Sequence, residues 1–322
     1  MMLMLLVLSV VLAACGENKN AGNAGSGKSE SGNKQTSAAA SEEIVVKHKL
    51  GETPVKKNPQ KVVVFDFGAL DTLDKLGVDV TGVPQDNLPA YLKKYEDSKY
   101  TNVGGLKEPD FEKVNAINPD LIVISGRQQD SYDEFNKIAP TIYMGVDTKD
   151  YLNSFTSNVK TLGEIFGKEA EADKELAAIN DSIKALHDKV TAAGKNALIV
   201  LTNEGKLSAY GTGSRFGMIH DLFGFTPVDP NIEVSTHGQS VSFEYVMEKN
   251  PDYLFVVDRS AVVAGKGEAA PAKQVIENDL VKNTKAFKEG HIVYLDPNYW
   301  YLSGGGLESV AEMIKEVDAG VK

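Results

Sequence analysis

Five short apolar runs punctuate the chain: 62–66 (VVVFD), 121–125 (LIVIS), 197–202 (ALIVLT), 253–257 (YLFVV) and 291–295 (HIVYL). Each has the length of a strand, and their unbroken apolar character predicts burial on both faces. The segments between them carry helical periodicity, so the chain predicts α/β architecture with mainly parallel sheets. The stretch 150–193 differs in length. Leu152, Phe155, Val159, Leu162 and Phe166 share one helical face, and Leu176, Ile179, Ile183, Leu186 and Val190 repeat the spacing beyond Gly167. This pattern predicts one long helix, stopped at Gly194, that joins two βα lobes as a strut.

An internal repeat supports two lobes. FEKVNAINPDLIVISGR at 111–127 and FEYVMEKNPDYLFVVDR at 243–259 match at seven positions with a constant offset of 132. Both read as helix, Asn-Pro-Asp turn, buried strand and then an arginine just past the strand. Convergence of βα units explains the turn; identity at the Glu and the distal Arg argues for equivalent lobes.

The N-terminus reads differently. Residues 1–14 (MMLMLLVLSVVLAA) form an apolar run too short to span a bilayer, which needs about 20 residues. The run predicts a secretory signal core, although no Lys or Arg precedes it. Leu12-Ala13-Ala14-Cys15 resembles a lipoprotein cleavage box, predicting lipidation of Cys15. Residues 16–43 contain no Val, Ile, Leu, Met or aromatic residue and read as a flexible tether reaching roughly 30 Å. The expected organisation is signal 1–14, lipidated cysteine and tether 15–43, N-terminal lobe 44–147, bridging region 148–194 and C-terminal lobe 195–322.

Composition narrows the partners. The 322 residues carry a net charge of −11, which excludes a nucleic-acid partner for want of a basic face. Cys15 is the single cysteine, so no disulfide can form within the chain. Against this acidic background the basic residues are nearly all lysines; only Arg127, Arg215 and Arg259 are arginines. Arg127 and Arg259 follow equivalent strands at the end where open α/β sheets place their ligand crevice. Arg215 lies in Tyr210-Gly211-Thr212-Gly213-Ser214-Arg215-Phe216-Gly217, a glycine-rich turn whose backbone N–H groups favour anions. Three converging guanidinium forks suit a multiply anionic ligand. Ordinary salt bridges compete with this interpretation, but they do not account for the placement.

Tyr210 and Ser214 in that turn join the candidate ligand set, as do Tyr299, Trp300 and Tyr301, which follow the last strand. Glu112 and Glu244 are equivalent acids near helix starts, after Asp110 and Ser242 as caps, where a carboxylate complements the helix dipole. No G-x-S-x-G elbow, P-loop or H-E-x-x-H occurs, and the five histidines are scattered without metal-ligand spacing. The sequence therefore predicts neither an enzyme nor a dedicated metal site.

Four stretches together carry a family resemblance: HKLGETPVKKNPQKVVVFD at 48–66, EPDFEKVNAINPDLIVISGR at 108–127, GTGSRFGMIHDLFGF at 211–225 and FEYVMEKNPDYLFVV at 243–257. They resemble the substrate-binding lipoproteins of iron-siderophore ABC importers, and within these the ferric-petrobactin-binding lipoproteins of Gram-positive bacteria. The resemblance covers the chain from Leu12 onward. It implies the class III binding-protein fold, with two lobes bridged by one long helix that limits closure. It also implies a monomer lipid-anchored on the outer face of the cell membrane. Its arginines hold a catecholate-containing ferric chelate whose iron the siderophore itself binds, and no other cofactor is needed. Glu112 and Glu244 become the acids that dock the ABC permease. A haem or cobalamin carrier of the same fold and an extracytoplasmic hydrolase remain as competing interpretations.

Overall fold

The computed structural model describes residues 42–263 and 271–322. The signal run, Cys15 and nearly all of the tether lie outside the described residues. The first element is a hairpin that no apolar run announced. Strands β1 (Glu43–His48) and β2 (Gly51–Lys56) pair antiparallel, with Val46 opposite Thr53. The Thr53 hydroxyl donates to the Thr141 carbonyl at 2.8 Å and ties the hairpin to the N-terminal sheet.

That sheet is parallel throughout. Its strands are β3 (Val62–Val64), β4 (Gly82–Val83), β5 (Thr101–Asn102), β6 (Leu121–Ile124) and β7 (Thr141–Tyr143), in the order β5-β4-β3-β6-β7. The expected runs at 62–66 and 121–125 form adjacent strands, and their side chains are buried on both faces. Helix α1 (Phe67–Lys75) starts where Asp66 accepts a hydrogen bond from Ala69 N–H at 2.7 Å. Helices α2 (Phe111–Ile117) and α3 (Tyr132–Ile138) complete the lobe.

The bridging region corrects one expectation. It holds two helices, α4 (Tyr151–Phe166) and α5 (Glu169–Ala193), not one. Gly167 ends α4 in the left-handed region at φ 62°, and the chain turns before α5 begins. Each helix keeps the apolar face the spacing predicted, so periodicity alone could not reveal the break. Phe155 and Val159 of α4 enter the C-terminal core, while Leu162, Ile165 and Phe166 enter the N-terminal one. Gly194 closes α5, as expected.

The C-terminal sheet contains β8 (Asn196–Asn203), β9 (Lys206–Tyr210), β10 (Thr226–Pro227), β11 (Gln239–Val241), β12 (Tyr253–Asp258) and β13 (Ile292–Leu295). Its order is β11-β9-β8-β12-β13, with β10 paired to the start of β8. β8, β12 and β13 run parallel, but β9 runs antiparallel to both of its neighbours, β8 and β11. A two-residue turn at Glu204 and Gly205, both at positive φ, folds β9 back on β8. The remaining helices are the short α6 (Met218–Asp221), α7 (Phe243–Lys249), α8 (Ser260–Val263), α9 (Ala272–Ile276) and α10 (Lys285–Lys288), then α11 (Leu307–Gly320).

The internal repeat is structural. α2 and α7 are capped by Asp110 and Ser242, end in left-handed Asn118 and Asn250, and lead into β6 and β12. The lobes are also keyed together at α11. Gly306 at its start has no side chain to serve as a cap, so α1 supplies one. Asp71 accepts from Glu308 N–H at 3.2 Å and Ser309 N–H at 3.1 Å, and Thr72 Oγ1 accepts from Leu307 N–H at 3.2 Å. A Cβ at Gly306 would lie 1.8 Å from Asp71 Oδ1, so only glycine admits this approach.

Asp71 is fully buried, and burial pushes its pKa up to about 7 although the Ser309, Tyr91 and Glu308 hydrogen bonds favour the anion. A raised folded-state value means that the stability present below the unfolded pKa is lost as pH rises towards 7. Wild-type protein is therefore expected to lose stability between about pH 4 and pH 7, and Asp71→Asn to lose less across that window. Urea denaturation at several pH values measures this; parallel curves would contradict it.

Candidate functional site

The three arginines meet at one residue. Arg127 follows β6, Arg259 follows β12 directly, and Arg215 sits on the turn between β9 and α6. All three surround Tyr301, with guanidinium carbons 5.9 Å (Arg127), 4.2 Å (Arg215) and 5.7 Å (Arg259) from its ring centroid. Arg127 donates to the Tyr301 carbonyl at 2.8 Å and to the Leu302 carbonyl at 3.2 Å. Arg215 donates to the same Tyr301 carbonyl. Arg259 Nε donates to the Tyr301 hydroxyl at 2.8 Å, and its Nη1 to Asn203 Oδ1 at 2.6 Å.

Among the described residues, no carboxylate oxygen lies within 4.0 Å of any of these guanidinium groups. The salt-bridge interpretation therefore fails for the described residues. Burial holds the pKa of Arg127 below the usual arginine range. Burial, then the charge of Arg127, brings Arg215 down to about 10, so it stays charged at neutral pH. Burial raises the Tyr301 phenol, yet the Arg259 hydrogen bond and the three nearby charges outweigh it and leave a net lowering. Each guanidinium carries five N–H donors, and the cluster's internal bonds leave most of them for a ligand.

The cluster lines two cavities. One, of about 310 Å³, is lined by Arg127, Arg259 and Tyr301 together with Asp86, Asn87 and Lys107. The other, of about 500 Å³, is lined by Arg127 and Arg215 with Lys49, Asp66, Tyr143 and Ser303. Arg127 faces both. Such a site presents positive charge and forked donors to a bulky polyanion. Among the described residues, no group of three His, Cys, Asp or Glu side chains is placed to hold a metal ion.

Several expected site residues make no hydrogen bond to the arginines. Trp300 lines the larger cavity but is only 2% exposed, and its indole N–H donates to Glu316 Oε2 on α11 at 2.8 Å. Tyr299 packs on Tyr91, with ring centroids 4.7 Å apart. Tyr210 is buried edge-on against Phe216, and buried Ser214 donates to the Gly211 carbonyl at 2.5 Å. Helical rotation separates the three aromatics, sending only Tyr301 to the arginines. The glycine-rich turn is no free anion site either, because Gly213 N–H already donates to Asp221 Oδ2 at 2.7 Å. Glu112 and Glu244 are exposed in the first turns of α2 and α7, as their caps predicted.

The sequence profile of the periplasmic binding proteins matches residues 62–299. The chain belongs to that family. It is 54% identical over 321 residues to the petrobactin-binding protein YclQ of Bacillus subtilis (strain 168), covering 98% of this chain and 96% of that protein. The ferric-anguibactin-binding protein FatB of Vibrio anguillarum is 32% identical over 282 residues, 86% of this chain and 87% of FatB. The YclQ crystal structure superimposes with a TM-score of 0.85 at 57% identity, covering 87% of this chain and 99% of that one. The periplasmic catecholate-siderophore-binding protein VctP from Vibrio cholerae does so with a TM-score of 0.83 at 39% identity, covering 86% of this chain and all of that one. The fold is thus that of the siderophore-binding members, which are extracytoplasmic binding proteins.

Within this family frame, the arginine criterion missed Asn203, Asp66, Lys49 and Tyr143. Asn203 and Asp66 stand at the carboxyl ends of expected strands, the same placement that marks the arginines. Lys49 reaches the cleft from the unannounced hairpin, where its Nζ lies 2.9 Å from Gln129 Oε1. No linear pattern marked it.

A half-buried cluster of like charges without a carboxylate costs stability in the ligand-free protein. Arg215→Met is expected to stabilise that state by about 1 kcal/mol at neutral pH while weakening anion binding. Thermal denaturation with and without ligand measures both effects. A variant less stable than wild type would show that the cluster balances itself.

Proposed function

We propose that this protein is a lipid-anchored receptor that captures a ferric siderophore, catecholate-containing and petrobactin-like, and hands it to an ABC importer permease. The observation that carries this is the convergence of Arg127, Arg215 and Arg259 on one residue in the cleft between the lobes, with no described carboxylate oxygen within 4.0 Å of them. The ligands after which YclQ, FatB and VctP are described support the same ligand class. The chelate carries its own iron into the cleft, so the protein's task is recognition and not catalysis. Guanidinium N–H groups donate to the anionic oxygens around the metal, each such bond contributing about 1.5–3 kcal/mol. Tyr301 adds an aromatic face beside them. Bridging by α4 and α5 keeps lobe movement small.

Release follows docking. Glu112 and Glu244 present one exposed carboxylate on each lobe, at equivalent positions of the repeat. Basic residues of the permease engage both acids, and the cleft opens above the transport path. Lipidation of Cys15 retains the monomeric receptor at the outer face of the membrane, and the segment from 16 to 43 gives it reach.

Titration of the soluble form with ferric catecholate, mixed catecholate–carboxylate and hydroxamate chelates, followed by Trp300 fluorescence, tests the ligand class. Tight quenching by a catecholate-containing chelate is expected, with each of Arg127→Ala, Arg215→Ala and Arg259→Ala weakening it by about 10–100-fold. Binding indifferent to all three arginines would remove the siderophore assignment and bring haem or cobalamin forward. Docking has a separate readout. Glu112→Lys with Glu244→Lys should lower cellular chelate uptake at least about tenfold, the effect of breaking charge pairs at an interface, and leave chelate affinity in vitro unchanged. Unchanged uptake would assign both acids to the helix dipole alone.

A further inference from the structure

Tyr301 organises the arginines, but its own segment has little stiffness. It rides on a π-helical turn, Asn298–Ser303, followed by Gly304, Gly305 and Gly306. Such turns are seldom stable alone and recur at functional sites. Besides the buried Trp300 and its bond to Glu316, this one is held from the opposite lobe, through the 3₁₀ turn Ala90–Glu96. Ala90 N–H donates to Asn298 Oδ1 at 3.0 Å, and the Tyr91 ring packs against Tyr299, tilted by 37°. The Tyr91 hydroxyl lies 2.6 Å from Ser303 Oγ and 2.9 Å from Asp71 Oδ2. One N-terminal-lobe turn therefore grips the segment on both sides of Tyr301.

With Asp71 ionised, the proton count fixes the direction of these bonds. A phenol has a single proton to donate. Tyr91 gives it to the Asp71 carboxylate, and the Ser303 hydroxyl donates to the Tyr91 oxygen. Asp71 is held in turn by the Glu308 and Ser309 N–H groups at the start of α11. The chain Ser303–Tyr91–Asp71–α11 thus links the Tyr301 turn to the junction of the lobes.

We propose that Tyr91, oriented by Asp71, is a positioning residue for the anion site: it fixes the Tyr301 turn so that its carbonyls and phenol gather the three arginines. Identifying the anion as a ferric chelate rests on the function proposed above; the positioning itself does not.

Tyr91→Phe keeps the ring and its packing but deletes the hydroxyl, and Ser303→Ala removes the same link from the other side. Two measurements on the folded full chain test the proposal. In ultraviolet phenolate titration, with Tyr301→Phe as the difference reference, the Tyr301 transition should move up towards the ordinary tyrosine value in either variant. Affinity for a ferric catecholate chelate should fall about fivefold in each single variant, the effect of one lost hydrogen bond. The double variant should be no worse than either single, because both cut one link.

An unmoved Tyr301 titration, or additive losses in the double variant, would overturn the proposal. Should wild-type protein bind no ferric chelate, the ligand assignment would fall, and the phenolate titration alone would decide whether Tyr91 positions Tyr301.

Discussion

Two like charges about 8 Å apart repel by roughly 2 kcal/mol at an effective dielectric of about 20. Three guanidinium groups around one phenol are therefore an unfavourable arrangement that the fold must impose. It does so with neutral partners: the carbonyls of Tyr301 and Leu302, the amide oxygen of Asn203 and the face of the Tyr301 ring. These accept hydrogen bonds and stabilise the cations without neutralising them. The positive potential is left for a ligand, and anion binding relieves the repulsion that folding imposed. Function here depends on what the cluster lacks as much as on what it contains.

That requirement explains the reach of the supporting structure. Arg127 comes from one lobe and Arg215 and Arg259 from the other, so the cluster exists only when the lobes hold a fixed relation. The α4–α5 pair contributes to both cores, and Asp71 and Thr72 cap α11 from across the junction. Burying Asp71 is costly, yet its carboxylate serves a helix whose own first residue, Gly306, cannot serve as cap. The small backbone at Gly306 and the acid at Asp71 are complementary features of one joint. The Tyr301 turn is anchored to the same joint through Tyr91.

Local physics made much of this legible in advance. Four of the five apolar runs became strands buried on both faces, whereas the fifth, β13, is an edge strand that leaves Tyr294 exposed. The repeat at 111–127 and 243–259 revealed both lobes and the matching arginines, since equivalent helix-turn-strand units place their ends equivalently. The split at Gly167 was misread because an apolar face continues across it. The antiparallel β9 was missed because its hairpin turn, Glu204-Gly205, lies inside what read as one βα unit. Three adjacent aromatics looked equivalent, but helical rotation buries Trp300, packs Tyr299 against Tyr91 and sends Tyr301 alone to the arginines.

The sequence by itself determined the α/β class, the pseudo-symmetric lobes and the family, because strand-length apolar runs and capping residues act over a few neighbouring positions. It also singled out the three arginines through their scarcity and their strand-end placement. Only the tertiary structure decided that they meet on Tyr301, that no described carboxylate stands beside them, and that α1 caps α11 from the opposite lobe. Those facts join residues 42 to 238 positions apart. Contacts at such separations are set by how the sheets and bridging helices pack, and no local pattern encodes them.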